Sequence, residues 1–294
     1  YDIQKNEIIS NFESKISSKI HPVFFAPVLF NDQLIMYDYT LKNNSVYGFL
    51  TIISSPSTIP NSREIYGVYN RDSLDQIFYP DIKGDDSIAD LYAGRIYGMT
   101  ITDSSSYVMR SIFYNSLTRA NALSFNALSK DLLGSYEKDL DYFNSVFEIS
   151  GFPTEFFIVD YGSYPDRWTS KNLIVYAGHG NSNWGGIYSQ SLPYLDNSLV
   201  ITEACSGCST LWSDSFCSNV IRKGALAYIG AVSIIGGGIE AQKGTLNELY
   251  YSGNTLGASF GKSYEYMMAD RSSLTLLGDP TFKLNLNKFL IRQL

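Results

Sequence analysis

The chain has 294 residues, of which 45% are hydrophobic and 17% charged, a composition that suits a folded protein with a buried core rather than a disordered one. Its formal net charge is -7 and it has no basic block, which argues against a nucleic acid as the partner. No apolar run approaches the roughly 20 residues that span a bilayer, so we predict no membrane span in this chain.

Apolar runs and amphipathic segments alternate along the chain. Strands are predicted at 46–54, 88–96, 155–161, 173–177, 198–204 and 225–232, and a turn at 276–280. Helices are predicted at 104–121, 130–149, 214–223, 245–251 and 256–269, with Gly224 just past the third. This alternation predicts an α/β fold with a mostly parallel sheet. A division between the two long helices gives an amino-terminal α/β subdomain at 1–127 and a second subdomain at 128–294.

Histidine and cysteine are rare, so the residues available for chemistry are few. The chain has two histidines, His21 and His179, and three cysteines, Cys205, Cys208 and Cys217. His21 precedes a proline in a predicted loop and is interpreted as structural. An odd, clustered trio is not a disulfide framework, although two of the three could pair. We interpret Cys208 and Cys217 as structural residues.

Two predicted strands end in residues that can do chemistry. The run LIVYA leads directly into Gly178-His179-Gly180, and SLVITEA leads into Cys205-Ser206-Gly207. Loops at the carboxyl ends of parallel strands are where α/β sheets place their sites. The stretch between the two is long enough for one crossover between neighbouring strands, so we expect both side chains to reach one crevice.

Cysteine and histidine in this arrangement favour nucleophilic catalysis. A thiolate is a strong nucleophile, and a histidine can promote its formation and then protonate a leaving amine. Flanking glycines allow backbone N–H groups to approach a developing oxyanion. Taken singly, His179 would be interpreted as a turn residue and Cys205 as a core thiol. Their joint position at two strand ends favours a catalytic pair.

The same residues resemble motifs of the caspase-like clan of cysteine peptidases. VYAGHG and ITEAC resemble its His-Gly and Ala-Cys motifs, and EACSG resembles the version found in legumain. Five further stretches resemble gingipain-type peptidases, in family order: TIP at 58–60, DLYAGRI at 90–96, ALAYIGAVS at 225–233, GNTLGASFGKSYEY at 253–266 and LLGDPTFKL at 276–284. The resemblance extends from about residue 50 to residue 283, which is most of the chain.

The resemblance implies a fold and a reaction. The fold is a caspase-like α/β/α sandwich with a mostly parallel sheet, preceded by a smaller α/β subdomain. The reaction is hydrolysis of a protein or peptide substrate through His179 and Cys205, with the backbone N–H groups of Gly180 and Cys205 as the oxyanion hole. No cofactor is expected for catalysis. The family implies an extracellular or cell-surface location and often bound calcium.

The resemblance also implies a substrate pocket after the strand at 225–232, at Ser233, Ile234 and Gly236. Basic-specific family members carry a tryptophan beside this pocket, whereas this chain has a glycine-rich segment at 234–238. The residue preference at the cleavage site is therefore left open.

Two other functions use the same residues. A transpeptidase would transfer the acyl group to an amine instead of water. A catalytically silent cell-surface or assembly protein could retain the fold without activity, because a fold alone does not define a function. The intact His-Gly and Ala-Cys motifs favour the enzyme.

An acidic loop offers a candidate calcium site. Asp81, Asp85 and Asp86 bracket Gly84, and carboxylates around a sharp turn suit a hard cation. Lys83 would repel a cation, and a solvated acidic turn is the alternative.

Overall fold

The computed structural model describes 16 separate stretches of the chain, between residues 24 and 284. They are residues 24–25, 28–30, 33–42, 45–53, 91–98, 100–117, 124–129, 141, 154–159, 165–180, 183–202, 204–208, 215–232, 240–250, 252–266 and 274–284. The predicted helix at 130–149 lies outside these residues except for Asp141, which is helical.

Eleven strands form one sheet. In chain order its first six strands are β1 (Phe24–Phe25), β2 (Val28–Phe30), β3 (Gln33–Lys42), β4 (Ser45–Ile53), β5 (Leu91–Ile96) and β6 (Ser124–Ser129). Its other members are β7 (Thr154–Val159), β8 (Leu173–Ala177), β11 (Leu199–Thr202), β12 (Ala227–Ala231) and β13 (Leu274–Leu277). A separate hairpin pairs β9 (Asn183–Trp184) with β10 (Ile187–Tyr188).

The strand order is β1-β3-β4-β5-β13-β12-β11-β8-β6-β7, with β2 paired to β3. From β12 to β7 every neighbouring pair is parallel, as are β4 with β5 and β5 with β13. The antiparallel pairs are β13 with β12 and those that involve β3. The predicted α/β class with a mostly parallel sheet is confirmed.

Helices cover both faces of the sheet. Apart from the single helical residue Asp141, the α-helices among the described residues are α1 (Ile101–Leu117), α2 (Phe216–Arg222), α3 (Glu240–Tyr250) and α4 (Leu256–Tyr266). Alternate residues of β8 enter two different apolar clusters, because successive side chains of a strand point to opposite faces. One cluster contains Val175 together with residues of α3 and α4; the other contains Tyr176 together with residues of α2. The two clusters thus define three layers.

Local sequence signals explain where two helices begin and end. Thr100 and Asp103 cap α1 reciprocally: each backbone N–H donates to the other side chain at 3.1 Å. Helix α2 begins after Ser215, whose hydroxyl accepts from the Ser218 N–H. It ends as predicted before Gly224, whose φ is 100°, and Gly224 donates to the carbonyl of Ile221.

Three stretches that carry the family resemblance meet at the end of β13. The Gly278 N–H donates to the Arg95 carbonyl at 2.8 Å, which joins the closing motif to β5. The N–H of Gly257, at the start of α4, donates to the Pro280 carbonyl at 2.9 Å. The role of these three stretches is therefore to pack the sheet against α4, and not to take part in a reaction.

Seven of the described strands were missed by the sequence interpretation: β1, β2, β3, β6, β9, β10 and β13. The predicted turn at 276–280 is wrong in its first half, because Leu276 and Leu277 are the last residues of β13. Strand β6 occupies the segment where the subdomain division was placed, so that the boundary at 127/128 falls within it. The division into 1–127 and 128–294 stays a prediction. Among the described residues, no helix has the length and apolar character needed to cross a membrane.

Candidate active site

The loops that carry His179 and Cys205 leave the sheet side by side. Strands β8 and β11 are parallel neighbours, and Tyr176 lies opposite Thr202 in their register. Since parallel strands end at the same edge, the chain after each strand emerges there. The structure therefore brings the two predicted loops to one edge of the sheet.

Gly180 lies directly against the backbone beside Cys205. A Cβ built at Gly180 would lie 2.5 Å from the Cβ of Ala204 and 3.0 Å from the carbonyl oxygen of Cys205. Such approaches exclude any side chain larger than hydrogen without a shift of the backbone. The glycine after His179 thus permits the close contact of the two loops, a role that the sequence alone did not reveal.

Buried side chains hold the backbone of the His179 loop, whereas the His179 side chain lies on the surface. His179 is exposed. The Tyr176 hydroxyl donates to the His179 carbonyl at 3.0 Å, and the buried Gln242 amide donates to the Tyr176 carbonyl at 2.9 Å. Gly180 also forms an antiparallel bridge with Trp184, the second residue of β9. These contacts hold the backbone of the loop and leave the imidazole on the surface.

A group of buried aromatic rings lies beneath both loops. Trp184 stacks with the rings of Tyr176 and Phe216, with centroids 4.6 Å and 4.2 Å away. The Tyr228 ring lies 6.3 Å from Trp184, at an interplanar angle of 20°. Such ring packing stabilises a rigid base, which suits a site that must hold its backbone in one geometry.

Cys205 begins a tight turn after β11. The Ala204 N–H donates to the Thr202 hydroxyl at 2.9 Å, and Ser206 has a left-handed φ of 56°. Cys205 is half-buried and packs against the apolar cluster that contains α3 and α4. The thiol of Cys205 is not part of a disulfide.

The other two cysteines are bonded to each other. Cys208 and Cys217 form a disulfide with their Cα atoms 5.4 Å apart, and both residues are about 1% exposed. This bond links the turn that begins at Cys205 to the first turn of α2. The interpretation of both residues as structural agrees with this placement, and the pairing left open by the sequence is decided by the structure.

Tyr228 packs against the same turn from β12. A Cβ built at Gly207 would lie 2.5 Å from the Tyr228 hydroxyl oxygen, with the next atom, Cζ of the same ring, at 3.7 Å. The hydroxyl is buried and has no hydrogen-bond partner in the described part of the chain. Burial raises the pKa of the Tyr228 hydroxyl far above its usual range, so it stays neutral.

Sequence reasoning overlooked Tyr228 and Gln242 as support for the site. Tyr228 lies in ALAYIGAVS, where an apolar strand gives no sign that its ring reaches the turn after β11. Gln242 is a buried polar residue of α3, and only the fold places its amide beside the end of β8. The available signal for Tyr228 is its spacing from Gly230, since a small residue two positions along a strand makes room for a large neighbour.

The remaining predicted site residues lie outside the described residues. These are the pocket residues Ser233, Ile234 and Gly236, the acidic residues Asp81, Asp85 and Asp86, and His21. Among the residues that are described, no group of three or more histidine, cysteine or acidic side chains is arranged to hold a metal ion. The calcium prediction therefore rests on the acidic loop and on the family resemblance.

Comparison with known proteins finds a likeness in structure but none in sequence. No protein-family model and no curated protein sequence matches the chain. Among solved structures, it is similar to a chain of the separase–securin complex of Saccharomyces cerevisiae, at 12% sequence identity and a TM-score of 0.48. The likeness covers 64% of this chain and 14% of that one. The sheet topology described above is consistent with a caspase-like α/β fold.

Proposed function

We propose that this chain is a cysteine endopeptidase, with Cys205 as nucleophile and His179 as general acid and base. One observation carries the proposal: β8 and β11 are parallel neighbours, and Gly180 lies against the backbone of Cys205. A histidine and a thiol that follow neighbouring strands can act on one substrate bond between them. The motifs in VYAGHG and EACSG place the proposal in the caspase-like clan, and the five stretches in family order favour a gingipain-type enzyme within it.

The proposed reaction uses groups that this chain supplies. The Cys205 thiolate attacks the carbonyl carbon of the scissile bond and forms a C–S bond. The resulting oxyanion accepts hydrogen bonds from the backbone N–H groups of Gly180 and Cys205. When the C–N bond breaks, His179 protonates the leaving amine and a thioester remains. Water then gives a proton to His179, attacks the thioester and releases the carboxylate and the thiol.

The exposure of the two side chains suits a protein substrate. His179 is exposed and Cys205 is half-buried, so an extended peptide could pass over the edge of the sheet between them. Strand β12 lies next to β11 and is parallel to it, so the chain after Ala231 leaves from the same edge. This supports a substrate pocket at Ser233, Ile234 and Gly236, which follow β12.

The disulfide supports a location outside the reducing cytosol. Disulfides form and persist in oxidising environments such as the extracellular space, and are rare where glutathione keeps thiols reduced. The pair Cys208 and Cys217 is buried beside the proposed nucleophile. We therefore propose an extracellular or cell-surface enzyme.

The test of the function is labelling with a peptidyl acyloxymethyl ketone compared with iodoacetamide. A peptidase should react with the peptidyl reagent at Cys205 much faster than with iodoacetamide, because only the former uses the oxyanion hole and His179. Peptides with different residues at the cleavage position would define the preference. Equal slow rates with both reagents would favour the catalytically silent protein. Adding an amine acceptor would reveal a transpeptidase by the transfer product.

Calcium should stabilise the protein if the acidic loop binds it. The melting temperature should then rise with calcium concentration, because a ligand that binds the folded state shifts unfolding by mass action. The rise should disappear in the double variant Asp85→Asn/Asp86→Asn, while Asp166→Asn, a change at an exposed carboxylate elsewhere, should keep it. A melting temperature that neither calcium nor a chelator alters would show that the loop is a solvated turn.

A further inference from the structure

We propose that the Cys208–Cys217 disulfide is a positioning group for Cys205, which holds the turn at 205–208 in the conformation that presents the thiol. The proposal rests on the proposed function, since it assigns to the disulfide a role in the reactivity of the same nucleophile. The disulfide closes a loop with a sequence separation of 9 and joins the turn to α2. It reaches neither the substrate nor the reacting atoms and would act through the backbone.

The turn is held on one side and presents its thiol on the other. Cys205 packs against the cluster that contains α3 and α4, whereas Cys208 and Cys217 belong to the cluster on the opposite face of the sheet. Ala204, directly before Cys205, also belongs to that second cluster. The bonded cysteines therefore anchor the turn from the face opposite to the one that Cys205 contacts.

Two backbone hydrogen bonds converge on the same short segment. The Cys208 N–H donates to the Ala231 carbonyl at 2.9 Å, which ties the turn to the end of β12. The Cys217 N–H donates to the Gly207 carbonyl at 3.1 Å, which ties it to α2. Each of the two donors belongs to a cysteine of the disulfide. The covalent link keeps Cys217 beside the turn and so preserves the bond to Gly207.

The backbone at Ser206 explains why an anchor is needed. A non-glycine residue with φ of 56° adopts a conformation that the chain rarely occupies unless its surroundings hold it there. Ser206 directly follows the nucleophile, so relaxation of this residue would rotate the peptide group that joins Cys205 to Ser206 and would shift Cys205. A shift of Cys205 would displace both its thiol and the N–H that we assign to the oxyanion hole. Loss of the anchor should thus affect the chemical step more than substrate binding.

Burial allows a reduced thiol and a disulfide to coexist three residues apart. Cys208 and Cys217 are about 1% exposed, whereas Cys205 is half-buried. A mild thiol reductant reaches the accessible sulfur first, because exchange requires attack on an accessible sulfur atom. Such a reductant could keep Cys205 reduced while the buried disulfide persists.

The experiment compares the parent protein with the double variant Cys208→Ala/Cys217→Ala. We expect kcat and the rate of labelling by the peptidyl ketone to fall by about 10- to 100-fold, the effect of a small misplacement of a reacting group. The KM and the rate with iodoacetamide should change by less than about threefold, since neither depends on the oxyanion hole. Amide hydrogen exchange at 204–208 should become faster in the variant.

A matched control separates positioning from general loss of stability. Ile221→Ala leaves a cavity at the end of the same helix that is farther from Cys217, and should lower the melting temperature while keeping the parent's labelling rate. A double variant that reacts like the parent, or no worse than Ile221→Ala at equal melting temperature, would overturn the proposal.

Two further measurements keep the test decisive. If the double variant does not fold, the parent can be partially reduced with a phosphine, and the labelling rate should then follow the fraction of intact disulfide. If the parent itself does not react with the peptidyl ketone, the peptidase function fails. Hydrogen exchange then decides the inference separately: faster exchange at 204–208 on loss of the disulfide supports it, and unchanged exchange overturns it.

Discussion

Cys205→Ala is expected to abolish peptide hydrolysis, with a fall in kcat/KM of at least about 10⁴-fold, because no other group of the site can form the thioester. The fold should persist, since the change removes one sulfur atom from a half-buried position at the edge of the sheet. The measurement is the initial rate of cleavage of a fluorogenic peptide, together with the melting temperature of both proteins.

His179→Ala should reduce kcat by about 10²- to 10⁴-fold, the usual contribution of a positioned acid or base. The matched control is His21→Ala, since the chain has only these two histidines. His21 is interpreted as structural, so its variant should cleave like the parent once folding is verified. An equal loss of kcat in the two histidine variants would contradict the assignment of His179 to the catalytic pair. Undiminished cleavage by Cys205→Ala would refute the proposed reaction.

Gly207→Ala is expected to inactivate the enzyme, and Tyr228→Phe is expected to rescue it. The added Cβ would meet the Tyr228 hydroxyl oxygen at 2.5 Å, and a displacement of the turn by this contact should lower kcat by about 100-fold. Without the hydroxyl, the next atom lies at 3.7 Å, an ordinary van der Waals distance. The double variant Gly207→Ala/Tyr228→Phe should therefore recover most of the activity.

The single variant Tyr228→Phe completes this double-mutant cycle. The buried hydroxyl has no hydrogen-bond partner in the described part of the chain, so its removal should leave the stability unchanged or raise it by up to about 1–3 kcal/mol. Activity and unfolding free energy of all four proteins give the coupling between the two residues. Additive losses in the double variant would show that the Tyr228 contact does not position the turn.

The sequence predicted the central strands well because their signal is local. LIVYA forms β8 with the predicted bounds, and the neighbouring apolar runs differ from β11 and β12 only by one or two residues at each end. These strands are buried on both faces, so nearly every residue is apolar. The sequence SFNALS of β6 has no such run, and its strand forms because β7 and β8 pair with it on both sides.

By itself the sequence determined the α/β class and the loops that carry His179 and Cys205. The signals for these features are local: apolar runs of strand length, the glycines that flank the two residues, and the scarcity of histidine and cysteine. Only the tertiary structure decided which loops are neighbours, which cysteines bond and which side chains support the turn. Cys208 pairs with Cys217 because α2 begins beside the turn, and Tyr228 reaches Gly207 because β12 lies next to β11. Such contacts depend on strand order and on the direction of each side chain, which distant parts of the chain set together.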